Sequence, residues 1–245
     1  ENTMNTITKA CAAACLPLSL LLSGCGEGAP QNKAVFMLID TSGTYTEELD
    51  KARAISNYLL ANLNSGDSLA LARIDSGSFS EKDILAKTTF DMRPSTANEQ
   101  KRRFKPSVDE FAAGLSKGSP HTDTTGGVMQ ATQYLQETGA GDKFILIFSD
   151  MEEDLPHDHI RDFPIRLDDI HVVALNVTKL RSDNLDPRDY LKRLQHWQQR
   201  VQDGGGYWRV VNDLEKLDSL LVPWTSLKKA WRCYDQRLFH TRQMP

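Results

Sequence analysis

Two unbroken apolar runs constrain this chain more than any other feature. Residues 34–39 read Ala-Val-Phe-Met-Leu-Ile and residues 144–148 read Phe-Ile-Leu-Ile-Phe. A strand with one wet face alternates apolar and polar side chains, so an unbroken run means burial on both faces. Strands of that kind belong to a parallel sheet covered by helices on each side, with helical crossovers between successive strands.

The intervening sequence supplies the crossovers. Leu49, Ala52, Ile55, Leu59, Leu60 and Leu63 recur at helical spacing until Asn64-Ser65-Gly66-Asp67 stops them, and residues 68–74 return as a strand. Residues 87–91 are a short, polar strand suited to a sheet edge. A charged helix is expected over about 98–115, kinked or split at Pro106. Another helix covers 124–138, with Val128, Met129, Ala131, Thr132 and Leu135 on its apolar side, and 170–177 is a third apolar strand. Asp186-Pro187 opens a helix whose apolar face is Tyr190, Leu191, Leu194, Trp197 and Val201, ended by Gly204-Gly205-Gly206. Residues 207–211 form the last strand, and Asn212 with Glu215 opens a final helix as a capping box. The expected fold class is α/β: a doubly wound, mostly parallel central sheet with helices on both faces and a short edge strand.

Ligands of such sheets sit outside the carboxyl ends of the strands. Asp40 follows the first apolar run directly, and Asp150 follows the other after Ser149. Asp40, Ser42 and Thr44 place a carboxylate and two hydroxyls at alternate positions of one turn, and Thr122 and Thr124 sit at a helix start. Oxygen donors from three separate loops suit a hard divalent cation. The set includes no Cys or His, which argues against zinc.

These residues resemble the von Willebrand factor type A (VWA) domain and its metal-ion-dependent adhesion site (MIDAS). The family's first motif, Asp-x-Ser-x-Ser, corresponds to Asp40, Ser42 and Thr44, its threonine to Thr122, and its second aspartate to Asp150, with Met151 where a glycine is usual. The resemblance covers about residues 33–221 and implies a VWA, Rossmann-like architecture. It also implies a Mg²⁺ ion (or Ca²⁺ or Mn²⁺) held directly by the hydroxyls and largely through water by the aspartates. One coordination position stays open for an acidic residue of a protein partner. Glu152, Glu153 and Asp154 make the loop unusually acidic, which would tighten metal binding, repel a carboxylate-bearing partner, and offer extra ligands to Ca²⁺.

The N-terminal region points to a compartment. Met4 looks like a natural start, Lys9 forms a short basic region, and residues 10–22 are apolar but too short for the roughly 20 residues a bilayer requires. Leu22-Ser23-Gly24-Cys25 then resembles the lipobox of bacterial lipoproteins. That resemblance implies a signal peptide over 1–24, a lipid on Cys25, and a tether over 25–32 ahead of a VWA-like domain over 33–222. With Gly26 after the cysteine, the expectation is a lipid-anchored, periplasm-facing protein of the bacterial cell envelope, with the outer membrane favoured. Cys11 and Cys15 would leave with the signal, so Cys233 would have no intrachain partner.

Composition narrows the function classes. With 40% hydrophobic and 25% charged residues among 245, the chain is neither disordered nor a multi-span membrane protein. Lys plus Arg number 29 against 33 Asp plus Glu, so no basic footprint for nucleic acid exists. The exception is local: residues 223–245 read as a basic amphipathic helix with Trp224, Leu227, Trp231, Tyr234 and Leu238 on one stripe. Such a helix either packs on the domain or meets anionic lipid or a partner.

The expected function is therefore a lipid-anchored, non-enzymatic module for divalent-metal-dependent protein–protein interaction. A haloacid-dehalogenase-like phosphohydrolase would use Asp40 as nucleophile, but needs a second acid two residues on, where this chain has Ser42. A receiver domain would want an acidic pair before its aspartate. In a metal-free version of the fold, Asp40 and Ser42 merely cap the first helix. His157-Asp158-His159 reads as a solvated loop, and the glycines at 204–206 lack the Lys-Ser/Thr of a phosphate loop.

Overall fold

The computed structural model describes residues 32–42, 48–114, 118–157, 159–178, 180, 183, 186–213, 217–218 and 220–222. The signal, Cys25 and tether expectations, Thr44, Glu215 and the 223–245 segment lie outside the described residues. Among the described residues six strands are present: β1 Lys33–Asp40, β2 Ser68–Ile74, β3 Ile84–Thr89, β4 Asp142–Phe148, β5 Ile170–Leu175 and β6 Tyr207–Val211. They form one sheet in the order β3-β2-β1-β4-β5-β6. All neighbours are parallel except β2 and β3. The α-helices of the described residues that cover it are α1 Leu49–Asn62, α2 Pro94–Gly114, α3 Thr124–Glu137 and α4 Pro187–Asp203.

The apolar runs do what their pattern requires. Alternate residues of β1 feed two separate cores: Val35, Met37 and Ile39 pack with α1 and α2, while Ala34, Phe36 and Leu38 pack with α3 and α4. In β4, Phe144, Leu146 and Phe148 face the first core and Ile145 and Ile147 the second. Each large side chain buried this way contributes about 1.5–3 kcal/mol. The sheet centre is therefore the most strongly held part of the molecule.

Several boundaries differ from the sequence expectation. The edge strand lies at Ile84–Thr89 and runs antiparallel to β2, with a bulge between Leu71 and Ala72. α2 begins at Pro94 and runs through Pro106 as one helix. Pro94 supplies a pre-set first-turn φ, and buried Phe104 and Val108 anchor the helix on both sides of Pro106. β5 stops at Leu175, because Asn176 turns to a φ of 54°. Leu191 is exposed, not on the packed face of α4. Asn212 Oδ1 accepts the Val177 N–H at 2.8 Å, so this side chain secures the turn after β5.

The strand order fixes where a ligand can sit. From β1 the chain passes to α1 on one face, whereas the segment leaving β4 packs Met151, Ile165 and Leu167 on the other. A crevice opens where neighbouring strands send their connections to opposite faces. Ile39 pairs with Phe148, so Asp40 and Ser149 follow in line and Asp150 lies one residue beyond. Both predicted aspartates thus flank the switch point. Among the described residues no helix is long and apolar enough to cross a membrane.

Candidate metal centre

Asp40 is 1% exposed at the end of the central strand. One carboxylate oxygen accepts the Ser42 N–H at 2.8 Å and the other accepts the Ser149 hydroxyl at 2.7 Å. Burial raises its pKa, opposed by the bonds from Ser149 and Ser42, the Ser42 side chain included. Thr41, between the two predicted ligands, turns its hydroxyl aside to the Ile74 carbonyl at 2.7 Å. Asp40 and Ser42 thus flank a threonine whose hydroxyl is engaged elsewhere.

The segment 118–123 crosses from one face of the sheet to the other over these strand ends. Ser119 donates its N–H to the Thr41 carbonyl at 2.8 Å, forming a parallel bridge with Ser42. Three residues on, Thr122 and Asp154 exchange backbone bonds at 2.8 and 3.1 Å. Thr122 is thereby stitched to the loop that carries Asp150. Asp123 caps α3 by accepting the Gly126 N–H at 2.8 Å, and its fully buried carboxylate takes two nitrogens of Arg161. Gly126 is required there, since a Cβ would lie 2.8 Å from the Ser78 carbonyl and closer still to the Asp123 carboxylate. Beside this cap the Thr124 hydroxyl is buried and has no hydrogen-bond partner among the described residues.

Asp150 is buried, and one of its oxygens accepts the Glu152 N–H at 2.9 Å. Its pKa is pushed up to about 6, first by burial and then by the charge of Asp40, against the Glu152 backbone bond and the positive Arg193. Two buried carboxylates, one of which raises the proton affinity of the other, concentrate negative charge at this point. A hard divalent cation matches that charge, the hydroxyls of Ser42 and Thr122, and the orphaned hydroxyl of Thr124. The residues present therefore fit the group. No cluster of three His, Cys, Asp or Glu side chains exists among the described residues, so any such site relies on hydroxyls for part of its shell.

The architecture has solved counterparts. The chain is similar to a von Willebrand factor type A protein from Catenulispora acidiphila, with 14% identity, a TM-score of 0.51, and coverage of 77% of this chain and 40% of that one. This is a VWA-type fold. It is also similar to the pilus adhesin SpaC from Lactobacillus rhamnosus GG in its open conformation, with 11% identity, a TM-score of 0.50, and coverage of 81% and 30%. The chain thus spans well under half the length of either protein, and at these identities the likeness concerns the fold alone. No protein-family model and no curated protein matches the sequence.

The acidic run after Asp150 is paired across the fold. Glu152 pairs with Arg193 at 3.0 Å. Glu153 accepts the Thr125 N–H at 2.7 Å, in the first turn of α3, and faces Arg200 at 3.6 Å. Asp154 meets His121 at 2.9 Å. Each carboxylate is engaged by a cation, a histidine or a helix N-terminus, so the run is not a free fringe of charge and not a ready source of further ligands. His157 and His159 are exposed, as a solvated loop requires. Gly204 to Gly206 end α4 and lead into β6, with Gly205 at a φ of 82°.

Sequence reading missed four contributors. Asp75, at the carboxyl end of β2, accepts the Ser119 hydroxyl at 2.6 Å and the Ser76 N–H at 2.7 Å. Although burial opposes it, these bonds hold the Asp75 carboxyl below the usual range. A signal existed, because the second strand ends Ile74-Asp75 as the first ends Ile39-Asp40. Ser149, Arg193 and Trp197 carried no such signal, since their roles depend on which carbonyl or carboxylate lies across the fold.

Proposed function

We propose that this chain is a lipid-anchored VWA-type module that binds a protein partner through a divalent cation, and that it is not an enzyme. The observation that carries this reading is the pair Asp40 and Asp150, buried side by side at the switch point of the sheet with Asp150 pushed up to about 6. Ser42, Thr44 and Thr122 would ligate the ion directly, with Asp40 and Asp150 acting through water. A cation there supplies Lewis acidity toward an incoming carboxylate. Each carboxylate of the run Glu152, Glu153 and Asp154 is engaged elsewhere in the fold, which softens the repulsion that such a partner would meet.

The binding role is preferred over catalysis on chemical grounds. Both oxygens of Asp40 already accept hydrogen bonds, and Ser42 two residues on cannot serve as a general acid at neutral pH. Calorimetry with Mg²⁺ on the wild type and Asp40→Ala tests the site: binding by the wild type alone is expected, and equal affinity in both would refute it. A pull-down from envelope extract with and without EDTA tests the partner. Incorporation of radiolabelled palmitate that survives Cys25→Ser would refute the anchor, and with it the periplasm-facing envelope location.

A further inference from the structure

Arg193, Trp197 and Arg200 fall at i, i+4 and i+7 of α4, and all three reach the loops that bear the site. Trp197, 1% exposed, donates its indole N–H to the Met151 carbonyl at 3.0 Å. Arg193 donates Nε–H to the Asp150 carbonyl at 2.9 Å, and its other nitrogens reach Glu152 at 3.0 Å and the buried Asp183 at 2.8 Å. Arg200 donates to the Thr125 hydroxyl at 2.8 Å and the Arg161 carbonyl at 2.9 Å, with its guanidinium 5.1 Å from the Trp197 ring centre. One helix face thus grips both the Asp150 loop and the start of α3.

The grip continues inward. Met151 donates its N–H to the Ser149 hydroxyl at 2.9 Å, and that hydroxyl donates to Asp40 at 2.7 Å. The chain of donors runs from α4 through the loop backbone to the buried carboxylate. Met151 holds a φ of 65°, a conformation disfavoured for a residue with a Cβ. Left alone, the loop would relax by turning a peptide on one side of Met151. Hydrogen bonds to two successive carbonyls, those of Asp150 and Met151, oppose that turn.

We infer that Arg193 and Trp197 are positioning residues for the Asp40–Asp150 pair, although neither belongs to the ligand set. The inference rests on the metal-binding reading above and extends it to the helix that orders the site. Groups one shell removed from a metal commonly alter its affinity 10- to 100-fold when mutated.

The test uses the full chain and two variants. Trp197→Phe keeps an aromatic ring but loses the indole N–H donor and part of the buried ring volume, and Arg193→Lys keeps the charge but loses the fork. Mg²⁺ affinity by calorimetry, Tm with and without saturating Mg²⁺, and amide exchange at Ser42 and Met151 are read together. Expected are an affinity about 10-fold weaker in either variant, a smaller Mg²⁺-induced rise in Tm, and faster exchange at Met151 and Ser42 with Val173 unchanged. Equal affinity in wild type and variants, with Tm lowered alike in both conditions, means a purely structural role and overturns the inference. If the wild type binds no Mg²⁺, the metal reading fails and exchange alone decides. Faster exchange confined to Met151 and Ser42 then upholds the positioning role, and unchanged exchange overturns it.

Discussion

The Ser149 hydroxyl donates to the Asp40 carboxylate at 2.7 Å, joining residues 109 positions apart in the sequence. The bond is buried, and it locks the ends of β1 and β4 together at the switch point of the sheet. Ser149→Ala strands a buried charged acceptor, which costs about 1–3 kcal/mol or more. Urea denaturation should show that loss, and Ser149→Thr, which keeps the hydroxyl, should recover most of it. Equal stability of the alanine variant would show that water replaces the bond.

The second prediction concerns pH in the absence of metal. Unfolded Asp150 ionises near 3.8, whereas the folded protein holds its proton until about 6. Metal-free stability is therefore greatest at the acid end of this window and falls as pH rises from about 4 to 6, by up to about 3 kcal/mol from this group. Asp40, also raised by burial, acts in the same direction. Asp150→Asn should make the metal-free protein more stable at pH 7 and abolish its response to Mg²⁺. Thermal melts at pH 5 and pH 7 decide it: a variant no more stable than wild type at pH 7 contradicts the assignment.

Met151 sets two effects against each other. Its left-handed φ of 65° costs about 1–2 kcal/mol, whereas its buried side chain belongs to the core beneath α3 and α4. Removing a buried Met costs about 2–5 kcal/mol. Met151→Gly should therefore remain destabilised overall, but by less than Met151→Ala, which loses the packing and keeps most of the strain. The reverse order in chemical denaturation would mean that the turn is not strained.

Arg161 and the buried Asp123 give the clearest all-or-none case. Arg161→Met leaves a fully buried carboxylate without its cation, at a cost of about 3–5 kcal/mol. The double variant with Asp123→Asn, which keeps an oxygen for the Gly126 N–H, should regain much of that stability. Strict additivity of the two substitutions would show that the pair is uncoupled.

The fold was legible in the sequence for a specific reason. Residues 34–39 and 144–148 have no polar face to show water, and only a covered parallel sheet accepts two such strands. Asp40 and Asp150 were legible because they end those strands. The boundary of α2 was not, because Pro106 in isolation signals a break and only the packing of Phe104 and Val108 overrides it. Nor was the fate of Glu152 to Asp154: their partners Arg193, Arg200, Thr125 and His121 come from distant elements. Charge is visible in a sequence, whereas its pairing across the fold is not.

The stretch between β4 and β5, residues 149–169, is long for a connection without regular structure, and such stretches usually invite proteolysis. Here Asp154, Met151 and Arg161 tie it to Thr122, Trp197 and Asp123. It also divides the described chain cleanly: β1 to β4 all precede it, while β5, α4 and β6 follow it as one contiguous flank of the sheet. A protease cut near the exposed His157 would then leave two fragments, each with whole strands, joined along the β4–β5 seam. The molecule has the layout of a complementing fragment pair, with every candidate ligand on the first fragment and the residues that brace them, Arg193 and Trp197, on the second.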